Sequence, residues 1–411
     1  MTGEIISVGT ELLMGMIVNT DAQYLANELN KYGFNLYHQS TVGDNMNRLV
    51  EAIETAMDRC DLLILSGGLG PTEDDLTKEA VAKYLGLPMV QDEQAVKDLN
   101  AYMAQRGKTI TPNNYRQAEF PAGAHILRNS CGTAPGCVCE AGGKLIAVLP
   151  GPPHELKAMF ESGLAPLLEE RMDSKFCSRY IRVVGMGESA VEYEIKDIID
   201  AQTNPTIAPY ASVGEMCLRV TAAVGKDEDP DALVEPVVQK ICERLGDYVY
   251  STHGVTLPRV VEDLLKQQQK TISVAESLSG GQICSDLVEI PGTSEVLLEG
   301  AVLYTDEAKI RLGVSQETIE RFSAVSEQTA REMAEAMRHR SGSSIAVATT
   351  GVAGPGPDAG GHPQGLFYVG VADEQGCVAC EFRARGSRVR VRSTAVLYAL
   401  DCVRRRLLGK L

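Results

Sequence analysis

Residues 61–86, DLLILSGGLGPTEDDLTKEAVAKYLG, pass from an unbroken apolar run through glycines and a proline into a periodic segment led by acids. An apolar run of this length without polar alternation reads as a strand buried on both faces. The segment from Asp74 has helical spacing and closes at Gly86. The same strand–helix pattern lies upstream. EIISVG and FNLYHQSTV read as strands. NTDAQYLANELNKYG reads as a helix opening at Asn19 or Thr20 and closing at Gly33, and MNRLVEAIETAMDRC as another helix. After a more polar stretch, KLIAVLPG and PPHELKAMFESGLAPLLEERM repeat the pattern, with Pro152 or Pro153 at the helix start. Strands alternating with helices predict a parallel sheet covered on both faces.

From about Ser178 the rhythm changes. YIRVVGMG, TIAPYAS, EMCLRVTAAV and YVYS read as strands, with helices after the first and third, an order of β-α-β-β-α-β that suits a small split-βαβ domain. Near Leu257 a third unit begins, again with alternating helices and strands, and ends in a long helix from Ser387. The expected fold class is α/β, a three-domain chain. Two layered α/β domains, residues 1–172 and 254–411, flank a small α+β domain, residues 173–253.

Composition agrees with this organisation. A chain of 411 residues is longer than one core usually supports, and domains run to roughly 100–200 residues each. Charge is 39 basic against 55 acidic, a net of -16, which argues against binding nucleic acid or an anionic membrane surface. The opening MTGEIISVGTELLMG lacks a basic lead and a long apolar run, and no window reaches the ~18 apolar residues of a membrane span. A cytoplasmic protein is expected. Eleven scattered cysteines, an odd number, suit a reduced compartment. Cys377-Val-Ala-Cys380 has metal-ligand spacing, but it lies in a strand-like stretch with no second pair and no nearby histidine. It reads as two buried small residues, as do Cys131, Cys137 and Cys139.

The chemistry concentrates in the last domain. A strand-to-helix junction aims unpaired backbone N–H groups and a positive helix end at one point. Three such points are expected: AESLSGG (275–281), where Gly280 and Gly281 permit close approach; PGTSE (291–295), where Ser294 follows a glycine turn; and the Gly/Pro-rich loop ATTGVAGPGPDAGG (348–361), longer than a connection needs. Lys309 is placed in the first turn of a helix opened by Thr305-Asp306-Glu307. A cation is disfavoured there, so partial burial would lower its pKa towards base competence. A neutral lysine amine can take a serine proton, and Tyr304 could relay that proton or orient the amine. A solvated lysine beside a packed tyrosine fits the spacing equally, and the residues alone leave both readings open.

AESLSGG, PGTSE, LYTDEAK (303–309), AVSE (324–327), TTGVAGP (349–355) and GSR (386–388) resemble, in order and spacing, the C-terminal domain of the CinA family. The whole chain resembles full-length members. That resemblance implies hydrolysis of the carboxamide of nicotinamide mononucleotide (NMN) to nicotinate mononucleotide and ammonia, with no cofactor. It implies Ser294 as nucleophile, Lys309 and Tyr304 as its proton-handling partners, and Thr350 and Arg388 near the amide and phosphate. Ser277, Gly280, Gly281, Gly351 and Gly354 fall in the substrate-contacting stretches. Leu278-Ser279 stands where the family usually has Cys-Thr, and Ser387 where it commonly has aspartate. Small α/β units of this kind often pair, so a homodimer is expected.

In the first domain SVGTELLMG (7–15), VGDN (42–45), SGGLGPTEDDLT (66–77), GTAPG (132–136) and LPGPPHE (149–155) all fall at strand ends, where a parallel sheet forms its ligand crevice. Asp74 reads as a helix cap. Asp75 and Asp44 could share a divalent ion such as Mg²⁺ alongside phosphate oxygens. These stretches resemble the domain shared by molybdopterin-binding proteins and CinA. Membership in CinA implies hydrolysis of the ADP-ribose pyrophosphate, with Gly67, Gly68, Gly70 and Thr72 at the phosphates and Thr10 in the first stretch. The alternatives are a nucleotide- or pterin-binding module without catalysis, and a competence accessory scaffold. The partners expected are small nucleotides, NMN and ADP-ribose, with neither nucleic acid nor membrane.

Overall fold

The structure, a computed structural model, describes residues 1–172 and 174–411. It divides into two compact units, residues 1–177 with 223–230, and residues 178–222 with 231–411. Together they hold an α/β chain in three domains.

The first unit is built on β1 (Thr2–Val8), β2 (Asn35–Val42), β3 (Leu62–Ser66), β4 (Met89–Gln91), β5 (Glu119–Pro121), β6 (His125–Leu127), β7 (Gly136–Ala141) and β8 (Lys144–Leu149). Its main sheet has the order β2-β1-β3-β8-β7-β6. β1, β2, β3 and β8 pair in parallel, and every residue of β3 is buried, which explains its unbroken apolar run. Ile5, Ile64 and Ala147 serve the core on one face, while Ile6, Leu63, Leu65 and Val148 serve the other.

The sheet is not parallel throughout, because β8-β7 and β7-β6 are antiparallel. Gly142 and Gly143 join β7 to β8 with φ of +58° and +80°. A two-residue turn of that hand closes a hairpin and is far too short for a parallel crossover. The parallel strands end, and antiparallel β7 begins, at one edge of this sheet.

β9 (Ser174–Val184), β10 (Thr206–Ala211), β11 (Glu215–Gly225) and β12 (Val249–Ser251) form the small sheet, in the order β10-β11-β9-β12. Helices Glu188–Glu194 and Asp231–Leu245 complete the split-βαβ order.

The last domain has β13 (Ile272–Glu276), β14 (Leu297–Val302), β15 (Ile345–Gly351), β16 (Leu366–Asp373) and β17 (Gly376–Arg383), in the order β14-β13-β15-β16-β17. The first three are parallel and the last two antiparallel additions. Helices Leu257–Gln267, Gln282–Val288 and Arg388–Leu407 supply the core on one face. Helices Asp306–Leu312 and Glu327–Ser341 supply it on the other.

Among the described residues no helix is long and apolar enough to cross a membrane, and all eleven cysteines are free. Cys137 and Cys139 are buried, but Cys131, Cys377 and Cys380 are only half-buried. Cys131 follows the loop turn at Asn129, and Cys377 and Cys380 lie on β17, the edge strand of its sheet.

Candidate active sites

The five stretches at strand ends of the first domain meet around one cavity of about 630 Å³. Gly67, Gly68, Gly70, Asp44 and Asp75 line it, with Glu11, Asp21, Asp74 and Glu155. GTAPG joins them because it precedes antiparallel β7, whose start lies at the edge where the parallel strands end. The glycines are required by the chain itself. A Cβ on Gly67 would stand 2.3 Å from the Val8 carbonyl oxygen, and one on Gly70 2.4 Å from Asp75 Oδ2.

The hydroxyls of Thr10 and Thr72 do not line the cavity. Thr10 donates from its amide and its hydroxyl to Asp44 Oδ2 (2.9 and 2.8 Å). Thr72 donates likewise to Asp75 Oδ2 (2.9 and 2.6 Å), and its hydroxyl also touches Asp74. Each threonine fixes a carboxylate. Among the described residues no group of three His, Cys, Asp or Glu side chains is placed to hold a metal. Asp44 and Asp75 line the same cavity, and a cation held by them would need water and phosphate oxygens for its remaining positions. Asp21, in the first turn of the Thr20–Lys31 helix, was not singled out by sequence. Burial raises its carboxyl pKa to about 6, against a smaller lowering by Lys157.

In the last domain β13, β14 and β15 end at a common edge. Glu276, the final residue of β13, is fully buried and accepts the amides of Gly281, Ile283 and Cys284 (2.9, 3.1 and 3.0 Å). The start of the Gln282–Val288 helix is therefore already capped by a carboxylate, and those amides are not free for a ligand. The next residue, Ser277, is 8% exposed, and its Oγ accepts from Lys309 Nζ at 3.2 Å. Nζ also donates to the Leu303 carbonyl at 3.1 Å.

Lys309 is 2% exposed, and no carboxylate bonds to it among the described residues. Burial lowers its pKa from the ordinary lysine value, while Asp306 opposes the shift. The first-turn explanation does not hold. Lys309 is the fourth residue of a seven-residue helix, in its last turn, so desolvation rather than the helix start depresses it.

Tyr304 is 65% exposed at the end of the edge strand, and its hydroxyl accepts from Arg388 Nη2 at 3.3 Å. Arg388 Nη1 donates to the Gly354 carbonyl at 2.6 Å, which joins the Gly/Pro-rich loop to this corner. The Thr350 hydroxyl is buried and donates to the Ala324 carbonyl at 2.6 Å. The hydroxyls of Ser279 and Thr349 lie 2.8 Å apart. Ser387 caps the final helix, accepting the Arg390 amide at 3.4 Å, and does not hold Arg388.

Arg392 was not singled out by sequence. It is partly buried, and it clamps AESLSGG by donating to the carbonyls of Leu278 and Ser279 (3.2 and 2.7 Å). Its position four residues after Arg388, on the same helix face, was the available signal.

Ser294 is not with this group. It is exposed in the Thr293–Glu295 turn that enters β14, whereas Tyr304 and Lys309 follow the end of β14. At ~3.3 Å per residue a six-residue strand separates them by well over 15 Å. One chain therefore joins Ser277, Tyr304, Lys309, Arg388 and the glycine loop, and leaves Ser294 on the opposite edge of the sheet.

Family models match in three places. Residues 4–170 match a probable molybdopterin binding domain, 178–251 the damage-inducible protein CinA KH domain, and 255–407 the CinA C-terminal domain. A putative competence-damage inducible protein of Clostridium beijerinckii is 45% identical over 98% of this chain and 99% of its own. This chain belongs to the CinA family. Another such protein, from Alkaliphilus oremlandii, is 43% identical over all of both chains. Among solved structures, CinA from Thermoplasma acidophilum is 35% identical, with a TM-score of 0.38 over 40% of this chain and 97% of that one. The competence/damage inducible protein CihA from Agrobacterium tumefaciens is 38% identical, with a TM-score of 0.35 over 36% and 91%. In the CinA chain described here, the C-terminal match contains every residue of the Lys309 corner.

Proposed function

We propose that the C-terminal domain hydrolyses the carboxamide of NMN, with Lys309 as the base. One observation carries the reading: a buried lysine, with no carboxylate bonded to it among the described residues, directs its amine at the Ser277 hydroxyl beside the glycine loops. Burial favours the neutral amine, the form that can accept a proton. Arg388 offers a cation for the 5′-phosphate, and the 351–361 loop offers backbone amides. Ser277 is nearly enclosed and already bonded to Nζ, which suits a residue that holds the amine in place. Ser294 is the attacking group that the resemblance implies, and because one chain holds it at the other end of β14 from Lys309, this reading requires the two to be brought together in the working enzyme. The acidic balance and the free thiols suit a cytoplasmic enzyme. The full chain should release ammonia from NMN, and Lys309→Ala should lower turnover by about 10²–10⁴ fold. A wild-type chain that leaves NMN intact would overturn the assignment.

A second reading, for the first domain, rests on its cavity. Six carboxylates and no Lys, Arg or His line it. A pyrophosphate could enter such a site only with a divalent cation, for which Asp44 and Asp75 are the candidate ligands. The cation would supply charge neutralisation, while the glycine turn admits the phosphates and Asp21 is placed to exchange a proton near neutral pH. The proposed reaction is cleavage of ADP-ribose to AMP and ribose 5-phosphate. AMP release that requires Mg²⁺ or Mn²⁺ and falls in Asp75→Asn supports it. Binding without release, with every divalent ion, would assign a binding module instead.

A further inference from the structure

Leu13, Met14, Met16, Ile17 and Val18 of the first domain are all exposed, Ile17 by 55% and Val18 by 83%. Single exposed apolar residues are ordinary on a protein surface, but a run of them beside a cavity marks a contact surface. The stretch is built rather than loose. At its start Thr10 is bonded to Asp44. Within it the amides of Met14, Gly15 and Met16 donate to the carbonyls of Thr10, Leu12 and Glu11 (3.0, 3.2 and 3.0 Å). At its end Asn19 donates to Ser7 Oγ of β1 at 2.9 Å and caps the Thr20–Lys31 helix, accepting the Ala22 amide at 3.0 Å. Backbone turns and two anchored ends hold it in place while its apolar side chains face out.

Ile17 and Val18 line the same cavity as the glycine turn, together with Leu12, Pro150, Pro152 and Pro153. That cavity therefore has two kinds of wall. Carboxylates and glycines form one, which on the pyrophosphatase reading takes the cation and the phosphates. The other is aliphatic and offers a diphosphate nothing. ADP-ribose has two arms beyond its phosphates. One is a ribose covered in hydroxyls, and the other ends in a flat, largely apolar ring. Only the ring gains from leaving water for an aliphatic wall. A cavity of about 630 Å³ is of the size that holds such a ligand.

We propose that Leu12, Ile17 and Val18 form a base subsite, so that a nucleotide binds with its aromatic base on this stretch and its phosphates at the glycine turn. The inference rests on the pyrophosphatase reading for the identity of the nucleotide. Glu11 and Asp21 flank the stretch, so pairing with the same patch of a second copy would bring carboxylates together and is disfavoured. The assignment also fixes which product is held longer. AMP keeps the phosphate and the base contacts after cleavage, whereas ribose 5-phosphate keeps the phosphate contacts alone.

Calorimetry on the full chain with Mg²⁺ present tests it, because these two products differ chiefly in the base. AMP should bind roughly tenfold or more tightly than ribose 5-phosphate. Ile17→Ser with Val18→Ser should bring the Kd for AMP close to that for ribose 5-phosphate and leave the latter unchanged. Both positions are exposed, so the double variant should melt with wild type. With ADP-ribose as substrate its KM should rise more than its kcat falls, since the subsite touches no reacting atom. Equal binding of the two products by wild type, or binding of neither, overturns the inference. So does a double variant that holds AMP as wild type does. Self-association lost in that variant with AMP binding intact would assign the patch to a second copy instead, and overturns it equally. The readout is binding, so the two readings fail separately. A wild type that prefers AMP yet releases none from ADP-ribose would defeat the pyrophosphatase reading and bear out the base subsite.

Discussion

A lysine that is 2% exposed, with one hydroxyl and one carbonyl for company, destabilises the fold while it is charged. The sign of its pH dependence follows from the lowered pKa. Between the folded pKa and the ordinary value near 10.5 the unfolded chain binds more protons, so stability rises with pH through that window. Below the window the penalty is present in full. Lys309→Met should therefore melt higher than wild type at neutral pH, and the difference should shrink as pH approaches 10. Turnover by wild type should rise with pH through the same folded pKa, and the variant should have none. Melting curves across pH decide the first part. A methionine variant that melts lower throughout would mean that the two hydrogen bonds outweigh the buried charge. Spacing made Lys309 legible as a candidate base. The cause of its perturbation was not legible, because burial depends on β14, β13 and the Glu327–Ser341 helix meeting around it.

At the scale of elements, AESLSGG was legible as a strand leading into a helix, but Glu276 was not legible as that helix's cap. The reason is geometric. Glu276 must reach amides five to eight residues ahead, and only a chain that turns back through Gly280 and Gly281, both at positive φ, brings them within reach. Glu276→Ala should leave three amides, one buried and two partly buried, without an acceptor and cost on the order of 3 kcal/mol. The melting temperature should fall by several degrees, and NMN turnover should fall with it, since Ser277 follows directly. Glu276→Gln, which keeps one acceptor oxygen, should lie between the two. Equal melting of the alanine variant and wild type would show that those amides find other partners. The placement of Ser294 teaches a different lesson. Its separation from Lys309 could have been read from the strand between them, since residues before and after one strand lie on opposite edges of a sheet. Motif order along the chain drew attention away from that geometry. Likewise Gly142-Gly143 already announced the hairpin that breaks the parallel sheet.

Over the whole molecule the domain order was the most legible feature, because periodicity changes at each boundary: buried parallel strands, then two strands in succession, then parallel strands again. The middle domain shows where a family label and the residues diverge. Residues 178–251 match a KH domain, and KH domains clamp a nucleic-acid backbone with a G-x-x-G loop. This stretch contains no G-x-x-G, and its turn after β9 reads Gly185-Met186-Gly187-Glu188. Its charge is seven basic against thirteen acidic residues, a net of -6. Several of those cations are already engaged: Arg179 with Asp231 and Glu235, Arg182 with Glu215, and Arg244 with Asp197. Phosphate contacts supply most non-specific affinity, and here few cations remain to make them. The full chain should therefore bind fluorescent single-stranded RNA or DNA more weakly than ~10⁻⁴ M at physiological salt, the weak end of non-specific binding. Anisotropy titrations at two salt concentrations measure this. Micromolar binding that weakens steeply with salt would reveal a cationic surface that the net charge conceals. Without such a surface, the β-α-β-β-α-β unit has too few unpaired cations to hold a nucleic-acid backbone.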